Sequence, residues 1–133
     1  MAIGRALQVS FILDTHVFFW WITDDSRLEA RHRQAIDARS ETVYVSAVSA
    51  WEIGIKTLLG RLRPTRTVAG AIEASGFEEL PLRLRHAEAL GRLPKHHMDP
   101  FDRMLAAQAL AEGLTLVTRD AAFRPYRLRV VRA

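Results

Sequence analysis

The sequence predicts an α/β fold in which a central, mostly parallel sheet of about five strands is covered by helices on both faces, giving three layers. Short continuous apolar runs alternate with segments of helical apolar spacing, the pattern of strands buried on both sides. Gly and Pro fall singly at places where such elements would end. No internal repeat, low-complexity tract or linker-like stretch interrupts the alternation, so residues 1–133 read as one domain.

The first run, Val9 to Leu13, is a strand, and Asp14-Thr15 then opens an aromatic-rich helix over His16 to Ile22. The start, Met1 to Leu13, has no small-residue cleavage site and runs into Asp14, so it is read as leading into a strand and not as a signal peptide. Phe18, Phe19, Trp20 and Trp21 are a larger apolar load than one side of a helix needs. Part belongs to the core and the remainder to a partner surface.

Ser26-Arg27-Leu28-Glu29 has capping-box spacing, and Leu28, His32, Ala35 and Ile36 then line one face, predicting a helix over 27–38. Thr42 to Ser46, with β-branched and aromatic residues, is the second strand. Val48, Trp51, Ile55, Leu58 and Leu59 follow at helical spacing up to Gly60, where a left-handed cap belongs. Pro64 breaks the chain, 67–75 is a short helix ended by Gly76, Phe77 to Leu80 is a third strand stopped by Pro81, and Leu84 to Leu90 is helical. His96-His97-Met98 is a loop. Asp99-Pro100 opens the helix Phe101 to Glu112, since Asp caps well and Pro suits the first helical position, and Gly113 closes it. Leu114 to Thr118 is the fourth strand, Ala121 to Phe123 a helical turn, and Leu128 to Val131 the fifth strand.

An apolar fraction of 49% with 26% charged residues in 133 residues is enough for a buried core and excludes fibrous or wholly disordered classes. The absence of cysteine removes disulfide scaffolds, thiol catalysis and thiolate zinc sites, and it fits a cytoplasmic location. No apolar stretch approaches the roughly 18–20 residues of a membrane span. Seventeen of the nineteen basic residues are arginine, against fifteen acids, for a net charge of +4. That bias suits phosphate contact, although the arginines recur along the whole chain instead of clustering.

In a parallel α/β sheet the carboxyl ends of the strands and the N-termini of the covering helices share one rim, where ligands bind. Asp14 follows the first strand, Asp120 lies two residues beyond the strand ending at Thr118, and Asp102 sits in the first turn of the helix before that strand. Glu52, four residues after Val48 and three before Ile55, falls within the stripe expected to face the core, where an acid needs a partner. Each residue also has a plainer reading. Asp14, Asp99 and Asp120 precede helical turns, where capping is a sufficient role. Asp102 fits a capping box with Asp99, and Glu52 can snorkel or pair with an arginine. Taken together, carboxylates converging on one rim repel and partly protonate unless a cation sits among them. Hard oxygen ligands without cysteine favour Mg2+ or Mn2+ over zinc, and the adjacent His96 and His97 lack zinc-ligand spacing. His16 and His86 are read as packing or capping residues, and His32 as a satisfied core histidine. Arg103, Arg119 and Lys56 neighbour the acids in sequence, where phosphate contact and salt bridges to the carboxylates are equally open.

Four stretches, Leu13-Asp14-Thr15-His16-Val17, Val48-Ser49-Ala50-Trp51-Glu52-Ile53, Asp99-Pro100-Phe101-Asp102-Arg103 and Val117-Thr118-Arg119-Asp120, resemble the PIN domain and, within it, the VapC-type toxins of bacterial toxin–antitoxin pairs. Each is weak alone, but four in order over residues 13–120 are specific. The resemblance implies a PIN-like, Rossmann-like fold and a metal-dependent endoribonuclease. Its acidic quartet corresponds to Asp14, Glu52, Asp102 and Asp120, with Thr118 beside the last acid and Asp99 as an additional acid. It further implies Mg2+ or Mn2+ as cofactor, an RNA substrate, a homodimer, and inhibition by a VapB-type antitoxin whose C-terminal segment fills the acidic groove. Met98 departs from the arginine usual at its position, and several residues precede the first strand.

Haloacid-dehalogenase-type phosphoryl transfer needs a second Asp two residues after Asp14, where His16 stands. A receiver domain needs an acidic pair that is missing. The remaining alternative is a catalytically inactive protein-binding module whose aromatic face docks a partner helix.

Overall fold

The structure, a computed structural model, describes residues 10–95 and 99–133. The expectations for Val9 and for the loop His96-His97-Met98 lie outside the described residues. Strands β1 (Phe11–Leu13), β2 (Val43–Ser46), β3 (Glu78–Leu80), β4 (Thr115–Thr118) and β5 (Val130–Arg132) form one sheet in the order β3-β2-β1-β4-β5, with every pairing parallel. Helices α1 (Thr15–Thr23), α2 (Ala30–Asp37), α3 (Ala47–Leu58), α4 (Val68–Ser75), α5 (Leu84–Leu90) and α6 (Pro100–Glu112), with a short 3-10 turn at Ala121–Phe123, connect and cover the strands.

The pleat sends alternate residues of β1 into two different cores. Phe11 and Leu13 pack with Val17, Phe18, Trp21, Ile36 and Val45 on one face. Ile12 packs with Leu105, Ala109, Leu116 and Phe123 on the other. Burial on both faces is why the central strands β1 and β4 read as short, mostly apolar runs, while the edge strands β3 and β5 are largely exposed. Helix α3 contributes Val48 to one core and Ile53 to the other, so it lies between the layers.

Several local signals act as the sequence predicts. Asp99 Oδ1 accepts the Asp102 N–H at 2.8 Å with Pro100 at the start of α6, and Gly113 ends that helix at φ +66. Gly60 likewise adopts φ +73 just beyond α3. The α2 expectation needs correction. The helix begins at Ala30, and Glu29 occupies its N-cap position without a side-chain cap bond. Asp25 instead takes the Arg27 N–H and guanidinium, at 2.9 and 2.7 Å, which holds the segment before Ala30 in a turn. Leu28 is nevertheless buried, whereas Ala35 is exposed.

The stripe of α3 is also corrected. Val48, Ser49, Glu52 and Ile53 are buried, while Trp51, Leu58 and Leu59 are 59%, 87% and 59% exposed. Apolar residues ring more than one side of this helix, and contact with two cores selects the face that holds the polar pair. Trp51 packs edge-on against Phe101 instead, with centroids 5.0 Å apart.

Candidate metal centre

The strand order reverses direction at β1, since the chain runs outward through β2 and β3 and then returns to β4 on the other side. Such a switch point opens a crevice at the carboxyl ends of the two central strands. Leu13 pairs with Val117, so Asp14 and Thr118, the next residues along, emerge side by side. The Asp14 N–H donates to the Val117 carbonyl, and the Thr118 hydroxyl donates to Asp14 Oδ2 at 2.6 Å. The same Thr118 oxygen accepts the Asp120 N–H at 3.0 Å. One hydroxyl thereby orients Asp14 and the turn that carries Asp120.

The capping explanation now divides the aspartates. Asp99 caps α6, and Asp120 Oδ1 accepts the Ala122 N–H at the start of the 3-10 turn. Asp14 occupies the N-cap position of α1 but makes no side-chain cap bond. It is buried, and its Oδ1 has no hydrogen-bond partner among the described residues. Burial of this carboxyl pushes its pKa up, and the Glu52 charge adds to that, against the lowering effects of Thr118 and His16. A buried acceptor without a donor costs stability unless something else satisfies it.

Glu52, 1% exposed on α3, pairs through Oε2 with Lys56 one turn on, at 2.5 Å. Its Oε1 is buried and also unpartnered among the described residues. Asp102, 9% exposed, has its pKa pushed up to about 8, first by burial and then by the Asp14 charge, by Asp99 and by Glu52. Asp14, Glu52 and Asp102 are thus within electrostatic range of one another. Asp120, exposed, lines a cavity with Asp14, His16, Trp20 and Arg119. The acids are not closed into a cage: among the described residues no three of His, Asp or Glu form a ready metal-binding group.

The donor chemistry nevertheless fits a hard divalent cation. The oxygens are carboxylate, two of them are buried without partners among the described residues, and neighbouring acids help to raise the pKa of Asp14 and of Asp102. A cation would relieve all three conditions.

Of the basic residues, Lys56 is held by Glu52. Arg103 donates to the Pro94 carbonyl and the Tyr126 hydroxyl, at 3.0 and 2.9 Å. Arg119 anchors its Nε on the Ala133 carbonyl and lies over the Trp20 ring, 4.5 Å from the centroid. Among the histidines, His86 caps as expected. Its Nδ1 accepts the Arg83 N–H, and its Nε2 meets Glu112 Oε2 at 2.7 Å. His32 is only partly buried, and its Nδ1 finds no partner among the described residues, so the expectation of a satisfied core histidine does not hold. His16 is exposed beside Trp20.

The sequence reading passed over Thr15 and Ser49. Their buried hydroxyls are 2.8 Å apart and tie α1 to α3, next to Asp14 on one helix and Glu52 on the other. The available signal was a serine three residues before Glu52 on the same helical face.

The sequence profile of the PIN domain matches residues 11–127, most of the chain. The chain belongs to the PIN domain family. This PIN domain is 29% identical to Ribonuclease VapC22 of Mycobacterium tuberculosis over 123 residues, 90% of this chain and 94% of that protein. Its fold is similar to that of VapBC2 from Rickettsia felis, solved bound to a DNA fragment from their promoter, with a TM-score of 0.70 at 16% identity over 93% of this chain and 98% of that one. FitAcB from Neisseria gonorrhoeae has a TM-score of 0.64 at 23% identity, covering 90% and 95% of the two chains. No helix among the described residues of the PIN domain is long and apolar enough to cross a membrane.

Proposed function

We propose that this PIN domain is a metal-dependent endoribonuclease and the toxin of a VapBC-type pair. In this reading it acts in the cytoplasm as a homodimer and is restrained by a VapB-type antitoxin. The observation that carries the reading is Asp14, a buried carboxylate at the β1/β4 switch point that makes no side-chain cap hydrogen bond and keeps one oxygen unpartnered among the described residues, with Glu52 and Asp102 in range. Its likeness to Ribonuclease VapC22 supports RNA as the substrate.

Asp14, Asp102, Glu52 and Asp120 would hold Mg2+ or Mn2+. When bound, the ion lowers the pKa of a water molecule and offsets charge on the phosphate oxygens. The chain's own residues set the rest. Thr118 fixes the Asp14 carboxylate through Oδ2 and leaves Oδ1 available. Lys56 holds Glu52 at the inner edge of the site, and the Thr15–Ser49 pair keeps the two helices in register. Asp99 supports Asp102 by capping its helix, and Arg119 is the basic group that lines the same cavity as Asp14 and Asp120.

Asp14→Asn is expected to lower metal-dependent RNA cleavage by at least roughly 100-fold while leaving the circular dichroism spectrum and melting curve of a folded domain. Cleavage at the wild-type rate would remove Asp14 from the centre. The open arrangement of the acids favours a second reading, an inactive protein-binding module. A melting temperature raised by Mn2+ supports the nuclease, and indifference to Mn2+ supports the module.

A further inference from the structure

We propose that His16, Trp20 and Arg119 form a nucleobase subsite that seats the base beside the scissile phosphate. The inference rests on the nuclease reading and adds to it the part of the substrate that the acids do not touch.

Phe18, Phe19, Trp21 and Ile22 are buried, yet Trp20 is only partly so and faces a cavity of about 280 Å³ lined by Asp14, His16, Trp20, Arg119 and Asp120. That volume lies just below the range of drug-sized ligand pockets, about 300 to 1,000 Å³, and it suits one planar ring better than an extended chain. The His16 and Trp20 centroids are 6.2 Å apart with planes inclined by 41°, so the two rings form a wedge and do not stack on each other. The third wall is Arg119, whose position is fixed by its Nε bond to the Ala133 carbonyl and its contact with the Trp20 ring. Its Nη2 is buried and lacks a hydrogen-bond partner among the described residues.

These features match what a nucleobase offers. A base presents a π face that stacks on aromatic rings and on a guanidinium plane such as that of Arg119 beside Trp20. Asp14 and Asp120 on the same lining put the sugar-phosphate connected to that base next to the acids. Arg27, 5.7 Å from the Trp20 centroid and paired with Asp25, borders the Trp20 side of this wedge.

The test measures binding of fluorescein-labelled hexa-adenylate RNA by anisotropy, in a Glu52→Gln background so that the RNA survives. Each position is replaced in turn by an abasic nucleotide. One position is expected to lose roughly tenfold in affinity when its base is removed. Trp20→Leu, which keeps an apolar side chain without a π face, should lose the same factor and become insensitive to that abasic position. Trp20→Phe should retain most of the affinity. If Trp20→Leu does not fold, His16→Ala at an exposed position decides, with a smaller loss confined to the same abasic position.

A chain that cleaves RNA but gives a flat abasic scan, as it would if the cavity seats an antitoxin side chain instead, overturns the subsite and leaves the nuclease reading intact. So does a scan unchanged by Trp20→Leu or His16→Ala. A chain that neither cleaves nor binds the RNA overturns both.

Discussion

Replacing Asp102 with Asn tests whether the acids at the switch point repel one another as their surroundings require. Asp102 has a pKa near 8 in the folded chain, against an ordinary value of 3.8. At about 1.4 kcal/mol for each tenfold change in ionisation, ionising it inside the fold costs at most about 6 kcal/mol. Side-chain relaxation and water entry reduce that to on the order of 2 kcal/mol. The sign follows from proton counting. Between about pH 4 and pH 8 the folded chain holds a proton that the unfolded chain has released, so metal-free stability falls as pH rises through this window and levels off above it. Asp102→Asn carries no proton to lose. Its urea midpoint in EDTA should therefore exceed that of the wild type at pH 8 by the equivalent of roughly 2 kcal/mol, and the gap should close towards pH 5. Adding Mg2+ at pH 8 should stabilise the wild type more than the variant, because a cation replaces the missing proton. Parallel pH profiles for the two proteins would show that Asp102 is not under charge stress, and the case for a cation site would lose one of its three supports.

The other predictions follow from single contacts. Thr118→Val removes the donor to Asp14 Oδ2 and the acceptor of the Asp120 N–H together; a loss of roughly 10- to 100-fold in cleavage is expected, with a folded domain by circular dichroism. Full activity would make Thr118 a bystander. His86→Leu removes the partner of the Arg83 N–H and one of the two partners of Glu112, at a buried imidazole whose partners are themselves exposed or partly exposed, so chemical denaturation should register a loss of roughly 1–2 kcal/mol. A change under about 0.5 kcal/mol would mean the network carries little stability. RNA affinity should fall roughly twentyfold between about 50 and about 200 mM salt, the response of about three phosphate contacts on a single strand. A flat salt profile would remove the arginines from phosphate binding.

The central strands β1 and β4 were readable because burial on both faces leaves a short apolar run bounded by turn and cap residues, whereas the edge strands β3 and β5 were placed by the Gly and Pro signals and β-branched residues around them. Caps were readable too: Asp99 with Pro100, and Gly113 and Gly60, act within one or two residues of their chemistry. The α2 start was misread because Asp25, outside the proposed box, captured Arg27 first. The exposed Trp51, Leu58 and Leu59 were misread because helical spacing does not say which of two apolar faces meets the sheet.

From the linear order of residues came the α/β class, the family resemblance and the candidacy of Asp14, Glu52, Asp102 and Asp120, since residue type and spacing along one element carry that information. Three-dimensional packing alone separated Asp14, which makes no side-chain cap hydrogen bond, from Asp99 and Asp120, which do. It alone joined Thr118 to Asp14 across 104 positions, and Thr15 to Ser49. Which donor reaches a carboxylate depends on strand register and helix docking, and those are set by long-range burial that no local pattern encodes.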